Sequence, residues 1–438
     1  MAALNFIKIS LILTILISFH HSNAKQTLPF SSSNLKNYLT QSQEPLLKLT
    51  SPMFLAGVLC FAAASISSAG GGGLFIPILT ILAGLDLKTA SSFSAFMVTG
   101  GSLANVMCHS FSYKFGGKGL IDYDIALLSE PCMLLGVSIG VICNLVFPEW
   151  LITILFVVFL VWSTFKTCKN GVVHWNLESE VKRIGYENVE FGKGISEEIK
   201  VINEPLLKRE LENKLSFSWE KLVILVLIWL SFSFVYLLRG NRYGEGIVAL
   251  KPCGVGYWVV SSLQIPLAII FTAWILFKKS NYQNQTANLQ GMDESAQSKL
   301  MFPMMALLAG MLGGVFGIGG GMLISPLLLH VGIHPEVTAA TCSFMVLFSS
   351  TMSAFQYLLA GMEHIDTALI FAVICFVASL VGLLVVQKSI QKNGRASIIV
   401  FSVSVVMGLS TILITSFGAI DVWRDFESGT NMSFKLPC

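Results

Sequence analysis

Ten long apolar segments run along this chain and restrict the folds it can adopt. About 20 such residues in a helix span the hydrocarbon core of a bilayer. Charged residues make up only 12% of the chain and hydrophobic residues 54%, whereas soluble domains carry about 25% charged residues. The sequence therefore predicts an all-α polytopic membrane protein and excludes a soluble enzyme, a nucleic-acid binder and a disordered scaffold. The segments lie at about 53–83, 90–109, 122–147, 150–165, 219–238, 257–277, 301–331, 338–360, 365–387 and 397–416.

The N-terminus is predicted to be a targeting segment at residues 1–24. Lys8 precedes an apolar run at 9–19, and small residues follow before Ala24, which is typical of a cleaved secretory signal. An uncleaved N-terminal anchor is the alternative. The other predicted regions are a polar tail at 25–52, a first transmembrane half at 53–165, a hydrophilic loop at 166–218, two linking helices at 219–277, a polar loop at 278–300, a second transmembrane half at 301–416 and a C-terminal tail at 417–438.

The two transmembrane halves resemble each other at an offset of 248 residues. This shift aligns 71–76 with 319–324, and it aligns Phe-Met-Val at 96–98 with the same three residues at 344–346. Several coincidences at one offset predict an internal repeat. Repeated halves built around interrupted hydrophobic segments are typical of transporter folds.

Each half opens with an apolar segment that contains a run of glycines. Glycine costs a helix interior about 1 kcal/mol relative to alanine, so contiguous glycines predict a broken, and in our preferred interpretation re-entrant, helix. Close helix packing through small residues is the alternative. The N–H groups at the start of the second half-helix would favour an anion. The candidate binding residues are Gly70, Gly71, Gly72, Gly73, Gly317, Gly319, Gly320 and Gly321.

Polar side chains in the segments that follow the glycine runs are further candidates for anion binding. Hydroxyl and amide groups can donate hydrogen bonds to a small oxyanion, although serine and threonine in membrane helices more often bond to their own helix. Amides do so less easily, and this favours the two amides in the set. The candidates are Ser94, Asn105, Thr341, Ser343 and Gln356.

Glu130 is the only acid deep within a predicted span. An intramembrane carboxyl group suggests proton coupling, and a position near the membrane interface is the alternative. The nine cysteines form no CxxC pair, so we expect neither a metal nor another cofactor. Cys253 and Cys438 could pair only if both faced an oxidising compartment.

The charges of the central loop predict the orientation of the chain. Lysines and arginines cluster near both ends of 166–218, which places this loop in the cytoplasm. A non-cytoplasmic N-terminus fits that placement only if the first glycine-broken segment returns to its own side as a hairpin. The two halves then have opposite orientations and the C-terminus lies outside, where Asn431 becomes a glycosylation site. Fully crossing broken helices, giving parallel repeats, are the alternative.

The glycine runs and their flanks resemble those of the sulfite exporter TauE/SafE family of membrane anion transporters. The resemblance rests on AGGGGLFIP at 69–77, FGIGGGMLISP at 316–326 and TCSFMV at 341–346, and CGVGYW at 253–258 with the long central loop resembles the plant-like branch. It implies transport of sulfite, or a related sulfonate or thiosulfate, across a membrane. The signal-like N-terminus predicts that this is the plasma membrane or another secretory-pathway membrane. A receptor or scaffold that keeps the transporter fold without flux is the alternative. Nothing in the sequence indicates the oligomeric state.

Overall fold

The computed structural model describes residues 51–66, 72–114, 120–190, 219–240, 254–286, 296–331, 333, 335–362, 364–393 and 397–427. The chain divides into two compact units, Met1–Ala56 and Gly57–Cys438. In the first unit only 51–56, the start of the first helix, are described. The predicted signal segment, Gly70, Gly71, Cys253, Cys438 and Asn431 lie outside the described residues.

The described part of the chain is built from α-helices and one short 3-10 turn, which confirms the predicted all-α class. The 3-10 turn spans Gly72–Leu74 and lies between the first two helices. The helices are α1 (Ser51–Ile66), α2 (Phe75–Ile81), α3 (Leu87–Lys114), α4 (Tyr123–Val146), α5 (Glu149–Glu190), α6 (Trp219–Arg239), α7 (Val255–Ser262), α8 (Gln264–Thr286), α9 (Ala296–Phe316), α10 (Gly321–His330), α11 (Pro335–Leu359), α12 (Ile365–Asn393) and α13 (Ser397–Glu427).

Six of the described helical stretches are long and apolar enough to cross a membrane. They lie in α4, α5, α6, α11, α12 and the α7–α8 pair. Shorter apolar stretches occupy Leu55–Ser65, Met301–Phe316 and Val403–Ser416. The protein is therefore a multi-pass membrane protein, as the apolar segments predicted.

Two helix boundaries differ from the sequence prediction. Helix α5 continues to Glu190, so the first part of the predicted loop 166–218 is helical. Hydropathy marks where a helix leaves the bilayer and not where it ends, and Glu178 also holds this extension by accepting hydrogen bonds from the amide and hydroxyl of Ser397 at 3.0 and 2.6 Å. The predicted single span 257–277 is two helices, α7 and α8, which meet at Leu263.

Glycines allow the opening helix of the second half to pack closely against α4. A β-carbon added to Gly136 would lie 2.2 Å from the carbonyl oxygen of Leu307, and one added to Gly310 would lie 2.1 Å from that of Met133. The backbones of α4 and α9 therefore touch, as small residues in membrane helices permit. Helices α1 and α12 form the corresponding close contact between the two halves. A β-carbon on Gly382 of α12 would lie 1.9 Å from the carbonyl oxygen of Ser65 in α1.

Two hydrogen bonds show the relative directions of the helices that follow the glycine runs. Lys88, at the start of α3, donates to the carbonyl oxygen of Leu145 near the end of α4 at 2.8 Å. The amide of Asp122, which caps the start of α4, donates to Thr341 near the start of α11 at 2.9 Å. Helices α3 and α11 therefore begin at opposite ends of α4 and run in opposite directions.

Candidate functional site

The second glycine run forms a non-helical loop between α9 and α10. Helix α9 ends at Phe316 and α10 begins at Gly321. Three residues of the loop adopt the left-handed region, with φ of 65° at Gly317, 72° at Gly319 and 69° at Gly320. Residues with a side chain rarely adopt this backbone conformation. Glycines at these positions therefore let the chain leave one helix and start the next within four residues.

The loop is enclosed by other helices. A β-carbon added to Gly317 would lie 1.9 Å from the carbonyl oxygen of Ser91 in α3, and one added to Gly319 would lie 2.8 Å from a methyl group of Val346 in α11. Irregular backbone at membrane depth is tolerated where protein or a wet cavity surrounds it. Here protein surrounds it, and only glycine fits.

Buried side chains hydrogen-bond the carbonyl groups in and before the loop. Ser349 donates to the carbonyl oxygen of Gly319 at 2.8 Å. Tyr357 donates to that of Gly314 and Asn144 to that of Val315, each at 2.7 Å. These bonds from α11 and α4 satisfy one carbonyl group of the loop and two in the last turn of α9.

The backbone donors at Gly319 and Gly320, in contrast, have no acceptor among the described residues. Within the described part of the chain, the amides of Gly319 and Gly320 donate to no backbone or side-chain acceptor. They lie at the N-terminus of α10, where the helix dipole favours negative charge. The buried hydroxyl of Ser350 also has no partner among the described residues. The β-carbon of Ser350 is close to the loop, because a β-carbon added to Gly319 would lie 3.3 Å from it. The loop and Ser350 therefore combine backbone and hydroxyl donors from which a small oxyanion could accept hydrogen bonds.

The first glycine run is described from Gly72 onward. Gly72 begins the 3-10 turn that leads into α2. The carbonyl oxygen of Gly73 accepts a hydrogen bond from Ser410 of α13. In both glycine runs, one carbonyl group thus accepts a hydrogen bond from a buried serine on a neighbouring helix.

Several of the predicted polar residues have structural partners away from the loop. Thr341 accepts the amide of Asp122, and the side-chain amide of Gln356 donates to Ser138 of α4 at 3.2 Å. Asn105 and Ser343 are buried on α3 and α11 respectively. The structure places Thr341 toward the start of α11, more than a helical turn before Val346, so it does not join the loop.

Ser94 differs from its neighbours on α3. It is fully buried, and its hydroxyl has no partner among the described residues. Ser91, Ser92 and Thr99 instead donate to carbonyl groups of their own helix at 2.7–2.8 Å, the commoner fate of these residues in membrane helices. Ser94 thus keeps a free donor on the helix that contacts Gly317.

Glu130 lies on α4 with 0% of its surface exposed. Neither carboxyl oxygen has a hydrogen-bond partner within the described part of the chain. Met133, one turn further along α4, reaches to within 3.3 Å of a β-carbon on Gly320. The carboxyl group is therefore buried inside the protein. No group of three or more histidine, cysteine, aspartate or glutamate residues that could hold a metal ion occurs among the described residues.

Asn144 and Tyr357 were not predicted as site residues, and Ser349 and Ser350 were considered only among the polar side chains of segment 338–360. An amide inside the apolar segment 122–147 was a signal for Asn144. The two serines face the loop because they follow Val346 by about one helical turn, but this face of α11 could be recognised only once its partner was known.

These features define a helical, multi-pass membrane protein with a buried glycine loop that offers hydrogen-bond donors. The family model of the sulfite exporter TauE/SafE matches residues 3–167 and 222–411. The chain belongs to this family.

Curated relatives in Arabidopsis thaliana are similar over nearly the whole chain. Sulfite exporter TauE/SafE family protein 2 is 61% identical, with 95% of this chain and 94% of that protein aligned. Family protein 5 is 58% identical, with 98% of each chain aligned, and family protein 1 is 58% identical, with 95% and 93% aligned. The comparison with solved structures found no significant match.

Proposed function

We propose that this protein is a secondary transporter that moves a small sulfur oxyanion, such as sulfite, thiosulfate or a sulfonate, across the plasma membrane or another secretory-pathway membrane. The family name supports the export of sulfite. One observation carries the mechanism: the amides of Gly319 and Gly320 donate to no acceptor in the described part of the chain, and they lie at a helix N-terminus inside the protein.

The anion is held by the donors at the start of α10. The two amides and the hydroxyl of Ser350 donate to its oxygen atoms, and the lack of side chains on Gly319 and Gly320 lets the anion approach the backbone. The helix dipole adds a favourable field. Because the carbonyl group of Gly319 already accepts a hydrogen bond from Ser349, it does not turn toward the anion and repel it.

The two halves act as an inverted repeat. The opposite directions of α3 and α11 support this interpretation, as do the reciprocal contacts of α9 with α4 and of α1 with α12. A carrier of this kind exposes one buried site to each side of the membrane in turn. In the first half, Gly72 begins the 3-10 turn that leads into α2 and occupies the position that matches Gly320 in the repeat.

Glu130 couples transport to protons. A buried carboxyl group without a partner in the described part of the chain can carry a proton through the membrane interior. Its neighbour Met133 contacts the loop region, so a change in the charge of Glu130 acts about one helical turn from the proposed anion site.

The test is uptake of radiolabelled sulfite into proteoliposomes that contain the purified full-length protein. We expect saturable uptake that is absent from empty liposomes. Ser350→Ala should raise the KM about tenfold, because it removes one hydrogen bond to a charged group, and it should leave thermal stability unchanged because the hydroxyl has no protein partner to lose.

Thr164→Val is the matched control. The Thr164 hydroxyl is also buried without a partner among the described residues, but this residue contacts Gly408 of α13 and not the glycine loop. Its KM should equal that of the wild type. Equal KM values for all three proteins would contradict the proposed site, and the absence of uptake of sulfite, thiosulfate and small sulfonates would contradict transport.

A further inference from the structure

Arg239, the last residue of α6, lies close to two aromatic rings. Its guanidinium carbon lies 4.6 Å from the ring centre of Tyr236 on α6 and 4.6 Å from that of Tyr257 on α7. Two of its nitrogen atoms, Nε and Nη1, are buried and have no hydrogen-bond partner among the described residues. Arginine stays charged in proteins, so the structure contains a fixed cation with buried, unused donors.

Helix α6 carries further donors on the same face. Trp229, Ser233, Tyr236 and Arg239 follow each other at spacings of four, three and three residues, which places them on one side of a helix. Trp229, Ser233 and Tyr236 are 4%, 2% and 2% exposed. The indole N–H of Trp229 and the hydroxyl of Tyr236 have no partner in the described part of the chain, and Ser233 has only the sulfur of Met352 at 3.7 Å.

This donor row extends inward from one end of the protein. A rise of 1.5 Å per residue gives about 15 Å from Arg239 to Trp229. Lys221, at the start of α6, pairs with Asp124, at the start of α4, at 2.6 Å. Helices α4 and α6 therefore begin at the same face, and Arg239 lies at the opposite face, away from the central loop that precedes α6.

An interfacial anchor does not explain this arrangement. Arginine and tyrosine are common at membrane interfaces, where the charged group extends toward water or lipid headgroups. Here the Tyr236 ring is buried, Tyr257 is only 9% exposed, and Nε and Nη1 of Arg239 are buried without a partner among the described residues. Contact with two rings also restricts the guanidinium group, which suits binding of an oxyanion through two N–H groups.

We propose that Arg239, clamped by Tyr236 and Tyr257, binds a solute oxyanion at the mouth opposite the central loop. Tyr236, Ser233 and Trp229 then provide the next donors on its way into the protein. The identity of the anion rests on the proposed function, but the site itself is separate from the glycine loop and lies on helices between the two halves.

The first experiment compares the KM for sulfite of wild type and Arg239→Gln in proteoliposomes. We expect the KM at the Arg239 face to rise about tenfold, since a charged hydrogen-bond partner is lost, while the maximal rate changes less than twofold. Arg239→Lys keeps the charge but not the paired donors, so its KM should lie between those of the wild type and Arg239→Gln. Lys278→Gln is the control, because Lys278 also stacks on one ring, that of Trp274 at 5.4 Å, but lies near the far end of α8. Its KM should not change.

The second experiment separates this inference from the proposed function. Binding of radiolabelled sulfite to the detergent-solubilised, full-length protein is measured without lipid and with phosphatidylglycerol. Sulfite binding without lipid that weakens about tenfold in Arg239→Gln supports the site even if no transport is found. Equal binding by the two proteins overturns the site even if transport is robust. Failure of the lipid-free protein to bind sulfite also overturns it, and retention of phosphatidylglycerol that is lost in Arg239→Gln then identifies a lipid phosphate as the occupant.

Discussion

Gly317 is the residue at which the loop conformation and the packing can be tested separately. Its φ of 65° is nearly the same as the 64° of Gly84, in the turn after α2. The surroundings differ: a β-carbon on Gly317 would lie 1.9 Å from the carbonyl oxygen of Ser91, whereas one on Gly84 has no described atom within 4 Å. Alanine at either position therefore carries the same backbone strain, and only Gly317→Ala adds a clash.

The expected magnitudes follow from these two terms. The left-handed conformation costs a residue with a side chain about 1–2 kcal/mol, so Gly84→Ala should lose about that much stability. In Gly317→Ala the new β-carbon is about 1.5 Å short of an ordinary contact, and the obstacle is helix backbone that cannot rotate away. Overpacking of this kind costs about 1–3 kcal/mol more, and relief requires the loop to move away from α3.

The assays are thermal unfolding in detergent and sulfite uptake into proteoliposomes. We expect Gly84→Ala to transport at the wild-type rate with a slightly lowered Tm. Gly317→Ala should have a clearly lower Tm and little or no uptake, because a shifted loop no longer aims the Gly319 and Gly320 amides at the anion. The same Tm and uptake rate for the two alanine variants would refute the argument that the close approach to α3 positions the loop.

Three further predictions follow from other contacts. Glu130→Gln should abolish the response of uptake to a pH gradient while uptake at equal pH persists; an unchanged response would exclude Glu130 as the proton carrier. Tyr357→Phe should lower stability by about 1 kcal/mol, measured by thermal unfolding, because the carbonyl oxygen of Gly314 loses a buried donor; a Tm equal to that of the wild type would contradict the role of this bond. Asn431 should be glycosylated when the protein is expressed in the secretory pathway, seen as a mass decrease on enzymatic deglycosylation, and an unmodified Asn431 with a cytoplasmic C-terminal tag would favour parallel repeats.

Much of the fold followed from the sequence because the bilayer restricts the choices. An apolar segment of sufficient length must become a helix, since unpaired backbone groups are too costly in lipid. The helices from α3 to α6 therefore appear near the predicted positions. Asp122 caps α4 through hydrogen bonds to the amides of Asp124 and Ile125 at 3.0 and 3.2 Å, as an acid at the start of a span suggests.

The glycine runs were only partly understood from the sequence. Contiguous glycines predicted that the chain leaves the helix, and Gly317, Gly319 and Gly320 do so. Gly313 and Gly314, in the same run, remain helical and pack closely, with a β-carbon on Gly314 only 2.5 Å from the carbonyl oxygen of Val137. Local preference cannot separate these two uses of glycine, because the difference depends on which helix lies opposite.

The choice of donors was decided by the tertiary structure. Thr341 and Ser350 are both hydroxyl residues on α11, and nothing in their local sequence distinguishes them. The amide of Asp122 occupies Thr341, whereas Ser350 faces the loop with its hydroxyl free among the described residues. The surroundings of Arg239 were also decided by the tertiary structure, because its two tyrosine neighbours lie on consecutive helices whose connection is outside the described residues. Composition and periodicity determine which segments enter the membrane, but whether a polar group is paired or free depends on contacts between segments far apart in the chain.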